Sequence, residues 1–232
     1  MLIKKWEDIP EHMKNDSVRD YYDILKKKQY SLLFKRLFDI VFSLLLMVLL
    51  LPFLLVIALA IKLDSKGPVL FHQERITQYE KTFNILKFRT MIDEHSLSEN
   101  KVTVKNDIRI TKVGKILRRY RLDEFPQLLN VFKGEMTFVG TRPEVLKYVS
   151  EYSDEMMATL LLPAGITSET SLDFKDEENL LMDSEHVDED YLKKILPLKM
   201  TENLESLREY SFSKDMKVFF RSFIIVFFKN SK

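Results

Sequence analysis

The chain has 232 residues, 46% hydrophobic and 31% charged, with a formal net charge of +1. That length can bury one core with attachments, and the composition excludes both a disordered chain and a many-span membrane protein. Cysteine is absent, which rules out disulfides, thiolate nucleophiles and cysteine-ligated zinc, and no glycine spacing of the G-x-G-x-x-G or G-x-x-x-x-G-K-[ST] kind occurs.

In chain order, residues 1–34, rich in Lys, Asp and Tyr, read as a surface arm or helix. From Ile40 to Ile61 runs "IVFSLLLMVLLLPFLLVIALAI", with only Ser43 and Pro52 interrupting the aliphatic residues. A helix of that length spans about 30 Å, roughly a bilayer core. It starts too late and is too long for a signal peptide, and soluble core helices seldom run so far without a charge. Lys26, Lys27, Lys28, Lys35 and Arg36 precede it, while Lys62 and Lys66 follow. Basic flanks favour the cytoplasmic side, and a simple crossing would expose one of them outside. Pro52 removes a backbone hydrogen bond mid-segment. The expectation over 35–64 is therefore a re-entrant helix-break-helix hairpin, with a plain crossing as the alternative.

A core domain is expected over 65–168, with Val69–Phe71 and Thr82–Leu86 as short strands around a turn. Helical patterning returns at Lys112–Arg119 and at Phe125–Phe132, closed by Gly134, and "EMTFVG" reads as another strand before Arg142. The segment 169–232 opens with an acidic run from Glu169 to Asp190 opposed only by Lys175, which reads as a solvated surface. Its tail, "MKVFFRSFIIVFFKN", reads either as an interfacial amphipathic helix or as a helix packed on the core. The fold class is α/β, mostly α with a few short strands.

The chemistry concentrates before residue 125. Lys101, Lys105, Arg109, Lys112, Lys115, Arg118, Arg119 and Arg121 are opposed only by Asp107. So dense a basic stretch answers to phosphate, and a balanced chain with a lipid anchor points away from nucleic acid. Asp123 and Glu124 follow at a helix start. Capping accounts for one carboxylate there, with Pro126 in the first turn. It does not account for the arginines. A carboxylate beside converging cations can instead attack phosphorus while its neighbour helps hold Mg²⁺, the cations neutralising phosphate oxygens. A second acidic pair, Asp93–Glu94, has no such neighbours and reads as loop surface, and His72, His95 and His186 lack metal-ligand spacing.

"KFRTM" (87–91), "DIRITKVGKILRRYRLDEFPQLLNVFKGEMTFVGTRP" (107–143) and "AGIT" (164–167), with the preceding hairpin and "DSKGPVLFHQER", resemble the bacterial sugar transferases called small monotopic phosphoglycosyl transferases. The resemblance implies transfer of a phospho-sugar from a UDP-sugar to polyprenyl (undecaprenyl) phosphate with release of UMP. It implies Asp123 as the nucleophile that forms a covalent aspartyl-phosphosugar, with Glu124 assisting. Asp123 and Glu124 would hold Mg²⁺ or Mn²⁺, while Arg142 and Pro143, Lys87, Arg89, Arg118 and Arg119 would contact phosphate or nucleotide. Expected partners are the UDP-sugar, polyprenyl phosphate and membrane lipids, with no nucleic acid and a homodimer left open. The expected location is the cytoplasmic face of the bacterial inner membrane.

The chain departs from the family pattern in several places. Thr141 replaces the first proline of P-R-P, Leu51–Pro52 replaces Ser-Pro, and glycines usual after "QER" are missing from "ITQYEKTF". After "AGIT" comes "SETSLDF" in place of G-[LW]-A-Q-V-N-G, and Pro163–Ala164 stands where Arg-Pro is common. Two rival readings are an inactive membrane-anchored scaffold, in which Asp123 only caps a helix, and a basic nucleic-acid binder.

Overall fold

The computed structural model describes residues 3–92, 109–174 and 187–225. Asp93–Glu94, His95, Lys101, Lys105, Asp107, His186 and most of the acidic run lie outside them. Helix α1 (Asp16–Lys27) is capped by Asn15, whose side chain accepts from the Val18 amide at 2.8 Å. Helix α2 (Gln29–Asp64) follows almost at once. The N-terminal segment is not a surface arm. Ile3, Ile9, Met13, Val18, Tyr21, Tyr22 and Leu25 are buried in the largest core cluster, against Leu160, Leu161, Leu196, Met200, Leu204 and Leu207. The lysines and aspartates of this segment hid a regular apolar face, which pairs with the far end of the chain.

Helix α2 is continuous for 36 residues with Pro52 inside it, so the expected break does not interrupt it. Proline removes only the one bond that would reach back to Val48, and the helix carries on past that gap. The helix is long and apolar enough to cross a membrane, yet only 11% of its most apolar window is buried. One stripe, including Phe38, Phe42, Leu46, Leu50, Leu54, Ile57 and Ile61, faces the protein at helical spacing. Val48, Leu49, Leu55, Val56 and Leu59 face outward. A soluble core helix would show the reverse proportion.

Both ends of α2 are fastened to the same body. Near its start, Lys35 Nζ donates to Val139 O at 2.6 Å and pairs with Asp215 at 2.5 Å. Arg36 donates to the Val131 and Phe132 carbonyls at 2.7 and 2.8 Å. Asp39 accepts from Thr137 Oγ1 at 2.8 Å and from the Phe138 amide at 3.2 Å. At its end, the Val113 amide donates to Asp64 Oδ2 at 2.9 Å.

Strands β1 (Leu70–Ile76) and β2 (Thr82–Phe88) form an antiparallel hairpin, Leu70 opposite Phe88 and Ile76 opposite Thr82. They run longer than the sequence reading, because pairing extends the ordered backbone beyond the apolar residues. In the turn, Tyr79 and Glu80 take left-handed backbone (φ 58° and 54°) without a glycine. Burial of the Tyr79 ring, whose hydroxyl accepts from the Lys4 amide at 3.0 Å, offsets that strain.

Helix α3 (Lys112–Arg119) matches its expected bounds, capped by the Thr111 side chain. A 3₁₀ turn, Leu122–Glu124, leads to α4 (Gln127–Lys133), which Gly134 ends in the left-handed conformation (φ 88°). Strand β3 (Met136–Val139) pairs in parallel with β4 (Ala164–Thr167). A Cβ on Gly165 would lie 2.2 Å from the Gly140 backbone, so only glycine lets these two chains pass. Between the strands lies α5 (Leu146–Val149), and α6 (Glu169–Asp173) follows β4.

The described chain resumes with a helical turn at Val187–Asp190 and a π-helical stretch, Tyr191–Ile195. Helices α7 (Leu196–Arg208) and α8 (Phe212–Ile224) complete it. Where it is described, the acidic segment is a solvated surface as expected, with Glu169 and Asp173 in exposed pairs with Arg221 and Asp188 with Lys147. Of the tail, the part to residue 225 is described, and its helix has a packed side and an exposed side. Val218 and Phe219 pack against the core, whereas Phe220, Phe223 and Ile224 are exposed.

Candidate active site

The loop between α3 and α4 builds the site. Arg121, in left-handed backbone (φ 53°), turns the chain so that Asp123 and Glu124 point inward. Both are buried, each 9% exposed. Pro126, not an acid, is the N-terminal cap of α4, so the capping reading of the pair does not hold. Behind them, Asn130 clips α4 to the β-hairpin: its Oδ1 accepts from the Leu86 amide at 3.0 Å and its Nδ2 donates to Asn84 O at 2.8 Å. This staple sets β2, and therefore Lys87, beside the acids.

The two carboxylates have different surroundings. Glu124 Oε1 accepts from Arg142 Nη2 at 3.1 Å and lies 3.4 Å from Lys87 Nζ. Burial disfavours its charge, but Arg142, Lys87 and Arg121 outweigh burial and hold it well below the usual carboxylate range. Asp123 goes the other way. Burial and then the Glu124 charge push its carboxyl up, against the opposing pull of Lys87 and Arg118. Lys87 is itself pushed down by burial, with Glu124 opposing that shift. Two neighbouring acids driven apart in this manner are the usual mark of divided chemical roles. Here one is a fixed anion within a cationic clamp and the other is the group whose charge the site resists.

The structure thus brings together Asp123, Glu124, Lys87 and Arg142, with Arg118 close enough to act on Asp123. Arg119, on the last turn of α3, has its guanidinium over the Tyr120 ring at 5.6 Å. Arg89 departs from expectation. It is buried and directed to Ser65, donating to the Ser65 carbonyl at 2.7 Å and Oγ at 2.9 Å, with Nε and Nη1 finding no hydrogen-bond partner among the described residues. It lies past the end of β2 and serves the exit of α2, not the acid pair. Pro143 takes part through its carbonyl, which accepts from Arg75 Nη1 at 3.2 Å.

Sequence reasoning missed Arg75 and Glu144, which carry no local spacing signal, and passed over Arg121 as one basic residue among many. Leu122, next to the pair, packs on the cluster containing Ile57 and Ile61 of α2. The acid-bearing turn is therefore tied, through Leu122, to a cluster shared by the end of α2, β2 and α3. Among the described residues, no group of three or more acids or histidines could hold a metal by itself. A magnesium or manganese ion, of the kind held by one or two carboxylates plus substrate phosphates, would draw on Asp123 and on the Glu124 oxygen that Arg142 and Lys87 leave open.

The site is thus an acid pair with one member clamped by two cations, on a body that also carries a long, largely exposed apolar helix. The sequence profile of the bacterial sugar transferases matches residues 30–229, and the chain belongs to that family. A relative in Komagataeibacter xylinus, undecaprenyl-phosphate glucose phosphotransferase, is 36% identical over 170 residues, covering 70% of this chain and 30% of its own. UDP-glucose:undecaprenyl-phosphate glucose-1-phosphate transferase of Escherichia coli (strain K12) is 36% identical over 168 residues, covering 70% and 33%. Exopolysaccharide production protein PSS of Rhizobium leguminosarum bv. phaseoli is 55% identical over 86 residues, covering 37% and 43%. This chain spans about a third of the length of the first two relatives and under half of the third.

Proposed function

We propose that this chain transfers a phospho-sugar from a UDP-sugar to undecaprenyl phosphate, releasing UMP, at the cytoplasmic face of the bacterial inner membrane, and so starts assembly of a membrane glycoconjugate. The observation that carries this reading is the division within the acid pair, one carboxylate locked by Arg142 and Lys87 and the other not, with the adjoining Leu122 in a cluster that includes Ile57 and Ile61 of the apolar helix.

In the proposed reaction an Asp123 carboxylate oxygen attacks the sugar-linked phosphorus. The bond from that phosphorus to the bridging oxygen breaks, and its electron pair leaves with UMP. A phosphate oxygen of the lipid then attacks the same phosphorus and frees Asp123, giving polyprenyl-diphospho-sugar. Two displacements at one phosphorus predict net retention and ping-pong kinetics. Glu124, pinned as an anion, keeps Lys87 and Arg142 in place to meet phosphate oxygens, while Arg118 approaches from α3. Mg²⁺, held by the acid pair and the diphosphate, would supply further neutralisation of phosphate charge.

The attachment of both ends of α2 to one body fits flanks that stay on one side of the membrane, as the re-entrant reading requires, although the helix runs unbroken through Pro52. The outward Ile116, Leu129 and Phe132 beside it, with Phe220, Phe223 and Ile224 of α8, fit an interfacial seat. A chain without cysteine makes this directly measurable. Single cysteines replacing the exposed Asp8 and Lys66 should label from the same side of a vesicle, and labelling from opposite sides would remove the re-entrant reading. For the chemistry, UMP release is measured with undecaprenyl phosphate and a panel of UDP-sugars, in Mg²⁺ and in EDTA. Labelled donor should remain on the peptide containing Asp123 when acceptor is withheld. Turnover with no such adduct would end the covalent account.

A further inference from the structure

Two residues beyond Arg142, a second cluster of buried charges has no part in the chemistry described so far. Glu144 is 7% exposed, and its carboxylate faces groups from three other elements. Tyr191 Oη donates to Glu144 Oε1 at 2.5 Å, and Lys199 Nζ lies 3.7 Å from the same oxygen. Lys199 also donates to Tyr191 Oη at 3.1 Å. Arg75 Nη1 lies 3.8 Å from Glu144 Oε2 and donates to the Pro143 carbonyl, while the Ile76 amide donates to Glu144 O at 2.9 Å. Arg75 Nε and Nη2 are oriented by Gln73 Oε1, at 3.2 and 2.9 Å.

Such a cluster is poor value as a source of stability, because burying these charges costs about as much as pairing them returns. Its effect is geometric. Arg75 and the Ile76 amide hold the backbone carbonyls of residues 143 and 144, Tyr191 and Lys199 hold the Glu144 carboxylate, and the next side chain upstream is the one that reaches Glu124. Tyr191 begins a π-helical stretch, a local insertion often found where a helix must aim a side chain at a working site. Its ring is also fixed, packed on Tyr148 with centroids 4.8 Å apart.

We infer that Glu144, braced by Tyr191 and Lys199 from the C-terminal helices, is a positioning residue that sets where Arg142 presents its guanidinium to the donor diphosphate. The inference rests on the transferase reading for its substrate, and on the structure alone for its geometry. The C-terminal segment is then part of the active-site framework rather than an appendage to the core.

The test is a double-mutant cycle on the full chain in detergent or lipid nanodiscs. Tyr191→Phe removes the hydroxyl and keeps the ring stack. It should raise the KM for UDP-sugar about tenfold with little change in the KM for lipid acceptor, as expected when a binding group is displaced slightly. In an Arg142→Ala background the same substitution should do nothing further. Additive losses in the two backgrounds, or equal losses toward both substrates, would show that Tyr191 merely supports the fold and would overturn the inference. Lys199→Met serves as the second variant should Tyr191→Phe lower the unfolding temperature substantially. If the wild-type chain releases no UMP from any UDP-sugar, the transferase reading fails while the brace can still be judged. A crystal structure of Tyr191→Phe with Arg142 unmoved from Glu124 would refute it, and a displaced Arg142 would uphold it.

Discussion

The two acids of the pair should respond oppositely to loss of charge. In Glu124→Gln the carboxylate that receives Arg142 at 3.1 Å and faces Lys87 at 3.4 Å is gone, and both cations remain in a site where Glu124 is 9% exposed. Breaking a buried pair by removing one partner costs about 3–5 kcal/mol, and the glutamine carbonyl still accepts one bond, so the lower end, about 3 kcal/mol, applies. For a domain of this size that is a fall of about 6–12 °C in Tm. Asp123→Asn removes a charge that burial and Glu124 both disfavour. It should raise stability by about 1 kcal/mol, or about 2–4 °C, the usual sign when a functional group held at a cost is neutralised. Thermal unfolding followed by circular dichroism in one detergent, at pH 7.5, reads both. The pH matters. Glu124 has a depressed folded-state pKa, so its contribution is present above its ordinary value of 4.5 and fades only as pH falls below it. Asp123 is raised, so its cost is absent well below its ordinary 3.8 and complete only above the elevated value. Equal shifts in the same direction, or a stabilised Glu124→Gln, would refute the clamp.

Three further outcomes follow from the same contacts. In the proposed mechanism Asp123 attacks as the anion, and its pKa is raised, so kcat/KM should fall on the acid side at a pH above the ordinary carboxylate range. A limb at or below the ordinary value of 3.8 would place the titration elsewhere. Asp123→Asn should abolish UMP release while keeping the fold, and retained turnover would return this position to a structural role. Lys35→Ala strands Asp215, paired with Lys35 at 2.5 Å, and should loosen α8 by about 3 kcal/mol. Hydrogen exchange should then quicken across Phe212–Ile224 and not in α1, and uniform exchange across the chain would contradict a local clasp.

The linear order of residues determined the elements whose cause is local. The aliphatic run over Ile40–Ile61 gives a helix, Gly134 ends α4 because it takes the left-handed turn cheaply, and the basic run before Asp123 marks out the stretch from which the proposed site is built. The family motifs singled out Lys87 and Arg142, and the structure sets both beside Glu124. Tertiary structure alone decided the rest. Whether Arg89 faces the acids or Ser65, whether the lysine-rich N-terminus lies on the surface or under Leu161 and Met200, and which acid of the pair stays charged all depend on partners distant in sequence. Burial and Coulomb forces act between neighbours in space, and no local spacing encodes that Glu144 meets Tyr191 or that Glu124 meets Arg142.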